Sequence, residues 1–354
     1  MDNKKLVRIG IIGVGGIARG VHIPGIKASA HGKITAICDI NEKTLYEVAD
    51  ELGLSKDRCF TDYRGLLSCD DIDAVEICTP NHLHVQIAAD ALNAGKAVNI
   101  EKPISCSCDD VHILKEAFLK NPMPNMMCFS YRFRAAVRYA KHLIDSGVLG
   151  NIVSINVEYL KSSAFWEGRR LDWRFVKEYS GTGVIGDLGV HLIDMTRYIV
   201  GDIKSVCGRK ATVVKQRQKL ESDEWADVTT DDYCNFLAET VNGVSATFVI
   251  TRCAIGHANT IKYEIFGEKG VISFDLNNPD ILYVCYNVSD IRSASLQKVD
   301  VPPEFKASQE QTFIDLCLGN ITETVAGIDE GIKCQKIIDA IDKSCETRSW
   351  VDID

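Results

Sequence analysis

Several short stretches hold residues able to bind a dinucleotide or to move a proton. Gly13-Val14-Gly15-Gly16-Ile17-Ala18 fits the pattern G-x-G-x-x-G/A. In such a loop the first glycine permits the tight turn, the second lets the backbone approach a pyrophosphate, and a small sixth residue allows close packing of helix on strand. The helix that follows offers unpaired N–H groups and the positive end of its dipole to a phosphate. Asp39 ends the next apolar run. There a carboxylate can accept hydrogen bonds from an adenosine ribose and repel a 2′-phosphate, so NAD is expected rather than NADP.

Thr79-Pro80-Asn81-His82-Leu83-His84 falls between an apolar run and a helical pattern, and Glu101-Lys102-Pro103 closes the next run. Both belong at the carboxyl ends of strands, where open α/β sheets bind ligands. Pro103 disfavours the helical region for the residue before it, so Lys102 is expected to be extended and its ammonium aimed. Further on, Gly181-Thr182-Gly183-Val184-Ile185-Gly186-Asp187-Leu188-Gly189-Val190-His191 is a glycine-rich turn entering a helix. A spacing of four sets Asp187 and His191 one above the other, with Asp194 and Tyr198 continuing the row, beside an apolar stripe of Leu188, Leu192, Met195 and Ile199. Taken singly, each has an ordinary explanation: Asn81 as a helix cap, Lys102 as a surface lysine, Asp187 and His191 as a satisfied pair.

The elements that must hold these residues alternate in the first part of the chain. Leu6 to Ile12, Ile34 to Cys38, Asp73 to Cys78, Ala97 to Glu101 and Met126 to Phe129 read as strands, and helical patterns lie between them. Asn41 is placed to cap the helix Glu42 to Leu52, and Gly53 to end it. Such alternation predicts a doubly wound parallel sheet, α/β in class. After a helix over 135–146, longer β-rich runs follow at 152–160, 205–214, 233–241, 244–252, 261–266 and 271–275, joined by turns rather than helical crossovers. They predict an α+β domain with an open antiparallel sheet and helices. The stretches 168–177 and 215–229 read as loops.

A chain of 354 residues is longer than one hydrophobic core usually serves. Domains are therefore expected at 1–130 and 131–354. A formal charge of −9 has the wrong sign for a protein that binds nucleic acid or an anionic membrane, and no apolar run approaches the ~20 residues of a membrane span. Lys4 and Lys5 ahead of an apolar stretch imitate a secretory signal, but Arg8 and the glycines interrupt it. Fourteen Cys scattered through apolar stretches, with no CxxC pair, suggest reduced thiols in a cytoplasm rather than a disulfide framework or a zinc site.

Together and in this order, the residues resemble the family of glucose-fructose oxidoreductase, inositol dehydrogenase and the MocA rhizopine-catabolism protein (Gfo/Idh/MocA). The resemblance runs from the Gly13 loop through Thr79-Pro80-Asn81 with His84, Glu101-Lys102-Pro103, Trp173-Arg174 and Asp187-Leu188-Gly189-Val190-His191 to the helix around Gly331. It implies an N-terminal Rossmann domain and a C-terminal domain whose open sheet joins subunits as a homodimer or homotetramer. It also implies hydride transfer between nicotinamide and a CH–OH carbon of a sugar, cyclitol or related polyol. By the same resemblance Lys102, Asp187 and His191 are the catalytic residues. Thr79, Pro80, Asn81, His84, Glu101 and Lys102 line the nicotinamide side, and Trp173 and Arg174 reach the cofactor from the second domain. Tyr131, Arg132, Trp166 and Arg169 are candidate substrate contacts.

Those residue types suit the reaction. Alcohol oxidation needs a base for the hydroxyl proton, which histidine, with an ordinary pKa of ~6.5, supplies near neutrality. Lysine stabilises charge on the oxygen, aspartate fixes geometry, and no metal is required. Two alternatives use the same fold: a glycosidase that oxidises its sugar transiently with NAD, and a non-catalytic regulator that senses a dinucleotide.

Overall fold

The computed structural model describes residues 6–320 and 325–353, so Lys4 and Lys5 lie outside the described residues. The chain forms two compact units. One holds the chain up to Cys128 together with Ala307–Lys333, the other Phe129–Lys306 with Cys334–Asp354.

In the first unit β1 (Val7–Ile12), α1 (Ile23–Ala28), β2 (Gly32–Cys38), α2 (Glu42–Leu52), β3 (Cys59–Phe60), α3 (Tyr63–Leu67), β4 (Ala74–Ile77), α4 (His84–Asn93), β5 (Ala97–Ile100), α5 (Val111–Lys120) and β6 (Asn125–Met127) follow one another. The strands lie in the order β3-β2-β1-β4-β5-β6, and each adjacent pair is parallel. β4 and β5 are buried along their whole length, as strands covered on both faces must be. Asn41 caps α2 by accepting the Thr44 N–H, and Gly53 ends it in the left-handed region, both as the sequence predicts.

The second unit begins with α6 (Ala135–Asp145), β7 (Ile152–Leu160), α7 (Lys177–Ser180) and α8 (Val190–Val200). Its strands continue as β8 (Ile203–Ala211), β9 (Gln216–Gln218), β10 (Trp225–Asp227), β11 (Tyr233–Thr240), β12 (Ser245–Thr251), β13 (Thr260–Gly267), β14 (Gly270–Asp275), β15 (Ile281–Tyr286) and β16 (Gln297–Asp300). After them come α9 (Gln309–Leu318), which belongs to the first unit, α10 (Ile328–Thr347) and β17 (Val351–Asp352). Nine strands form one sheet in the order β16-β15-β14-β13-β7-β12-β11-β8-β17.

Two expectations need correction. The large sheet is mixed, because β7 and β12 run parallel. Their long connection, which contains α8, is the kind of crossover a parallel pair requires. The stretch 215–229 is not all loop: β9 and β10 pair as a hairpin, with Trp225 opposite Gln218 and Asp227 opposite Gln216. Its polar residues gave no alternation of apolar and polar side chains to read.

Candidate active site

In the first unit the motif residues gather at the carboxyl ends of β1, β2, β4 and β5. Strand order reverses between β1 and β4, which makes this the crevice where such sheets bind ligands. Gly13 leaves β1 with φ +89°, and a Cβ there would lie 2.8 Å from the Cys78 carbonyl. Asp39 holds the loop in place. One of its carboxylate oxygens accepts the Val14 N–H and the other the Asn41 N–H, each at 2.9 Å. Every carboxylate oxygen has a second lone pair, so capacity for a ribose hydroxyl remains. Gly15, Gly16 and Ile17 are exposed, and a Cβ built on either glycine meets nothing within 4 Å. The backbone there is open to a pyrophosphate, and the residues fit NAD. Ala18 is fully buried. The helical stretch after the loop is wound more widely over Ala18–His22 before α1 begins, with Pro24 in its first turn.

At the next rim turn, Asn81 begins a short turn whose cap is Pro80, so Asn81 is not a helix cap. It is buried, as is His84. The His84 ring lies between two turns, with Nδ1 2.7 Å from the Pro103 carbonyl oxygen and Nε2 2.8 Å from that of Thr79, and in its neutral form it donates to one of them. Burial pushes the His84 pKa down, although both carbonyls favour an added proton. Lys102 is half-buried and joined to Pro103 by a cis peptide bond. Its backbone N–H donates to Glu101 Oε2 at 3.0 Å.

Behind this rim lies a buried cluster that the sequence did not reveal. His22 Nε2 is 3.0 Å from Glu101 Oε1, and Nδ1 is 3.4 Å from Glu76 Oε2 and 3.6 Å from Glu310 Oε1. Burial pushes the Glu76 carboxyl up to about 7, even though Asn99 donates to it at 2.8 Å. Burial acts on Glu101 in the same direction, but the hydrogen bond and charge of His22 outweigh it and hold the carboxyl below its usual range. Nothing in the pattern around His22 announces these partners, which come from β4, β5 and α9.

In the second unit Asp187 and His191 do not share a regular helix. Ile185–Gly189 is a wider π-type turn and α8 starts at Val190. Glycines stand at 186 and 189 in that wider turn, and such turns recur at functional sites. Leu188, Leu192, Met195 and Ile199 are buried, as the stripe predicts. The Tyr131 ring stands edge-on to the His191 ring at 4.6 Å between centroids. Tyr159 donates its hydroxyl to Asn259 at 3.0 Å, so Tyr131 is the donor in the 3.1 Å contact between the two tyrosines. Asp187 Oδ2 lies 3.4 Å from Arg252 Nη2, and Arg252 is almost wholly buried. Tyr159 and Arg252 were not singled out in the sequence.

Arg132 is committed elsewhere: it donates to both oxygens of buried Asp194 at 2.7 and 2.6 Å. Arg132→Met leaves that carboxylate without its guanidinium, so a loss of about 3–5 kcal/mol in stability is expected. Calorimetry checks it, and an unchanged melting temperature would contradict the buried pair. Trp173 and Arg174 sit in a short turn capped by Asp172, with the guanidinium 4.4 Å from the indole centroid. Trp166 is exposed, and Arg169 lies between the Trp166 and Phe175 rings, within reach of Asp172 at 3.7 Å.

A parallel sheet of this strand order, with a glycine turn and an acidic residue at its switch point, defines the class of dinucleotide-binding Rossmann folds. Residues 7–127 match the family description "Oxidoreductase family, NAD-binding Rossmann fold", and residues 137–273 match "GFO/IDH/MocA C-terminal domain". The chain belongs to the GFO/IDH/MocA family of NAD-dependent oxidoreductases. It is 29% identical to the levoglucosan dehydrogenase of Pseudarthrobacter phenanthrenivorans, over 90% of this chain and 88% of that one. It is also 29% identical to the glucose-6-phosphate 3-dehydrogenase of Bacillus subtilis, over 84% and 83% respectively. A solved levoglucosan dehydrogenase in complex with NADH has the same fold, with a TM-score of 0.90 and 27% identity over 99% of this chain and 100% of that one. Among the described residues, no helix is long and apolar enough to cross a membrane.

Proposed function

We propose that the protein oxidises a CH–OH carbon of a sugar or polyol, or reduces the corresponding ketone, with Lys102, Asp187 and His191 as its catalytic residues. The observation that carries this reading is likeness over nearly the whole chain to a levoglucosan dehydrogenase solved with NADH. NAD, held at the Gly13 loop and Asp39, would supply the acceptor for the hydride of the carbinol carbon. His191 accepts the hydroxyl proton, its ring steadied by Tyr131. Lys102 stabilises the negative charge developing on the oxygen. Asp187, beside the Arg252 guanidinium, orients the substrate hydroxyl or the imidazole. His84, packed between the Thr79 and Pro103 carbonyls, serves the cofactor side by filling the space between those turns and donating to one of them.

The test is a panel of levoglucosan, glucose 6-phosphate, myo-inositol and free aldoses, with NAD and NADP supplied separately and reduced nicotinamide followed by absorbance. NADH formation with at least one member is expected. No turnover with any of them, in either direction, would end the reading. The named relatives are dehydrogenases, which disfavours the glycosidase and regulator alternatives. Asp39→Ser removes the charged partner of Val14 and the ribose acceptor together, so NADH affinity should fall about tenfold. A fluorescence titration with native affinity would remove Asp39 from the cofactor site.

The open face of the large sheet presents Asn156, Glu158, Thr247, Lys262 and Glu264 around a shallow concavity. We read it as the surface through which copies of the chain associate. Sedimentation equilibrium should report a dimer or tetramer, and a monomer at micromolar concentration would refute it.

A further inference from the structure

We propose that His22 is a positioning residue which, acting through Glu101, fastens the Lys102 turn to the helical segment leaving the glycine loop. The proposal rests on the reading of Lys102 as catalytic.

His22 is the last residue of the turn Ala18–His22, which follows directly on the exposed Gly15 and Gly16. Its side chain has no exposure at all. Nε2 reaches Glu101 Oε1 at 3.0 Å, and Glu101 Oε2 accepts the Lys102 N–H, also at 3.0 Å. A carboxylate gripped at both oxygens cannot rotate, so it fixes the peptide from which the lysine side chain departs. The path from cofactor loop to catalytic lysine is thus one imidazole, one carboxylate and one amide. On its other flank the turn packs against His84, whose Nδ1 lies 2.7 Å from the Pro103 carbonyl oxygen.

The surroundings of the imidazole suit this task. Glu76, Glu101 and Glu310 face it from β4, from the end of β5 and from α9, with the Cys78 and Cys128 thiols close by. Lys102 and His84 act on the same Glu101 carboxylate from the rim side. Burial disfavours the imidazolium, but the neighbouring Cys78 and Cys128 sulfurs outweigh it and hold the His22 pKa well above its usual value. The imidazole hydrogen-bonds Glu101 through Nε2, while Nδ1 makes no hydrogen bond among the described residues and lies 3.4 Å from Glu76 and 3.6 Å from Glu310. An apolar residue of similar volume would serve packing as well as a buried ion cluster does. What it would not supply is a directed bond to the Lys102 turn.

The experiment compares two variants with the native enzyme, using the panel sugar that gives the highest rate. His22→Leu/Glu76→Gln removes the imidazole and one buried carboxylate charge together, which spares the fold an unbalanced charge. In it kcat should fall about thirtyfold, with the KM for NAD within about threefold of native. His22→Gln keeps an N–H for Glu101 and should recover most of that loss. In a Lys102→Ala background the same changes should have no further effect on kcat, because the residue through which they act is gone. Independently of any sugar, exchange of the Lys102 backbone amide, followed in protein carrying isotope-labelled lysine, should speed up at least about tenfold in the Leu/Gln variant while other lysine amides hold. Native kcat and native amide exchange would overturn the proposal, as would additive losses with Lys102→Ala. Stoichiometric zinc or iron in the purified protein would also overturn it, since His22, Glu76 and Cys128 bring potential ligand atoms within 4.8 Å of one another. If Lys102→Ala alone keeps native kcat, the catalytic reading fails, and the amide exchange still shows whether His22 holds the turn.

Discussion

Lys102→Ala and His191→Ala should each lower kcat about a thousandfold while NADH binding survives. The size follows from what is removed. A positioned general base contributes a factor of ~10² to 10⁴, and a charge aimed at a developing oxyanion contributes ~10² to 10³. Neither side chain belongs to the glycine loop or to Asp39, which contact the far end of the dinucleotide in this reading, so affinity for NADH should stay within about threefold of native. Stopped-flow turnover on the active panel sugar, paired with NADH fluorescence titration, separates the two quantities. If both variants turn over at the native rate, the assignment of these residues is wrong. A loss confined to NADH affinity would make Lys102 a cofactor ligand and nothing more. The double variant is informative too: two groups acting on one transition state should lose less together than the product of their separate losses.

Gly13→Ala and Gly15→Ala should fail in opposite ways. At Gly13 the backbone has φ +89°, and the new methyl would meet the Cys78 carbonyl carbon and oxygen at 2.8 Å and the Thr79 nitrogen at 3.0 Å. Backbone atoms of β4's exit cannot swing aside as a side-chain tip can. A positive φ costs about 1–3 kcal/mol and the overlap about 1–3 more, so a loss of several kcal/mol is expected, visible as a large drop in melting temperature. At Gly15 a methyl meets nothing within 4 Å, so folding should be untouched. That same methyl projects into the space a pyrophosphate would take, and NADH affinity should drop at least about tenfold. Calorimetry with NADH titration on both variants decides the matter. A Gly15→Ala protein that binds NADH normally would move the dinucleotide elsewhere.

The loop around Gly13 could be read from the chain because its requirements are local. A turn, a small residue and a nearby aspartate are all visible in a short window, and so are the Asn41 cap and the Gly53 stop of α2. The proposal of Lys102, Asp187 and His191 as catalytic rests on order and resemblance, since spacing alone leaves each with a structural explanation. His22 escaped notice because its meaning lies in Glu76, Glu101 and Glu310, which are distant in sequence and meet only after the sheet is built. The same holds for Arg252 beside Asp187 and for Tyr159 beneath Tyr131. Pairing is equally non-local: the alternation in β7 shows that a strand exists, but not that β12 lies parallel to it. Asp187 and His191 were expected on one helical row, and the π-type turn at Ile185–Gly189, with glycines at 186 and 189, breaks that register.

The position of β7 bears on how the chain is made. Val157 pairs with Phe248 on one side and with Tyr263 on the other, so this strand emerges from the ribosome long before either neighbour exists. The first unit is also completed late, because Phe313 and Ile314 of α9 are wholly buried in it, and Glu310 completes the surroundings of His22. Neither unit is complete until translation is nearly finished, and β7 stays without its partners until β12 and β13 have been made. Expression of residues 1–130 alone should therefore yield a partly collapsed, chaperone-bound product rather than a free nucleotide-binding module.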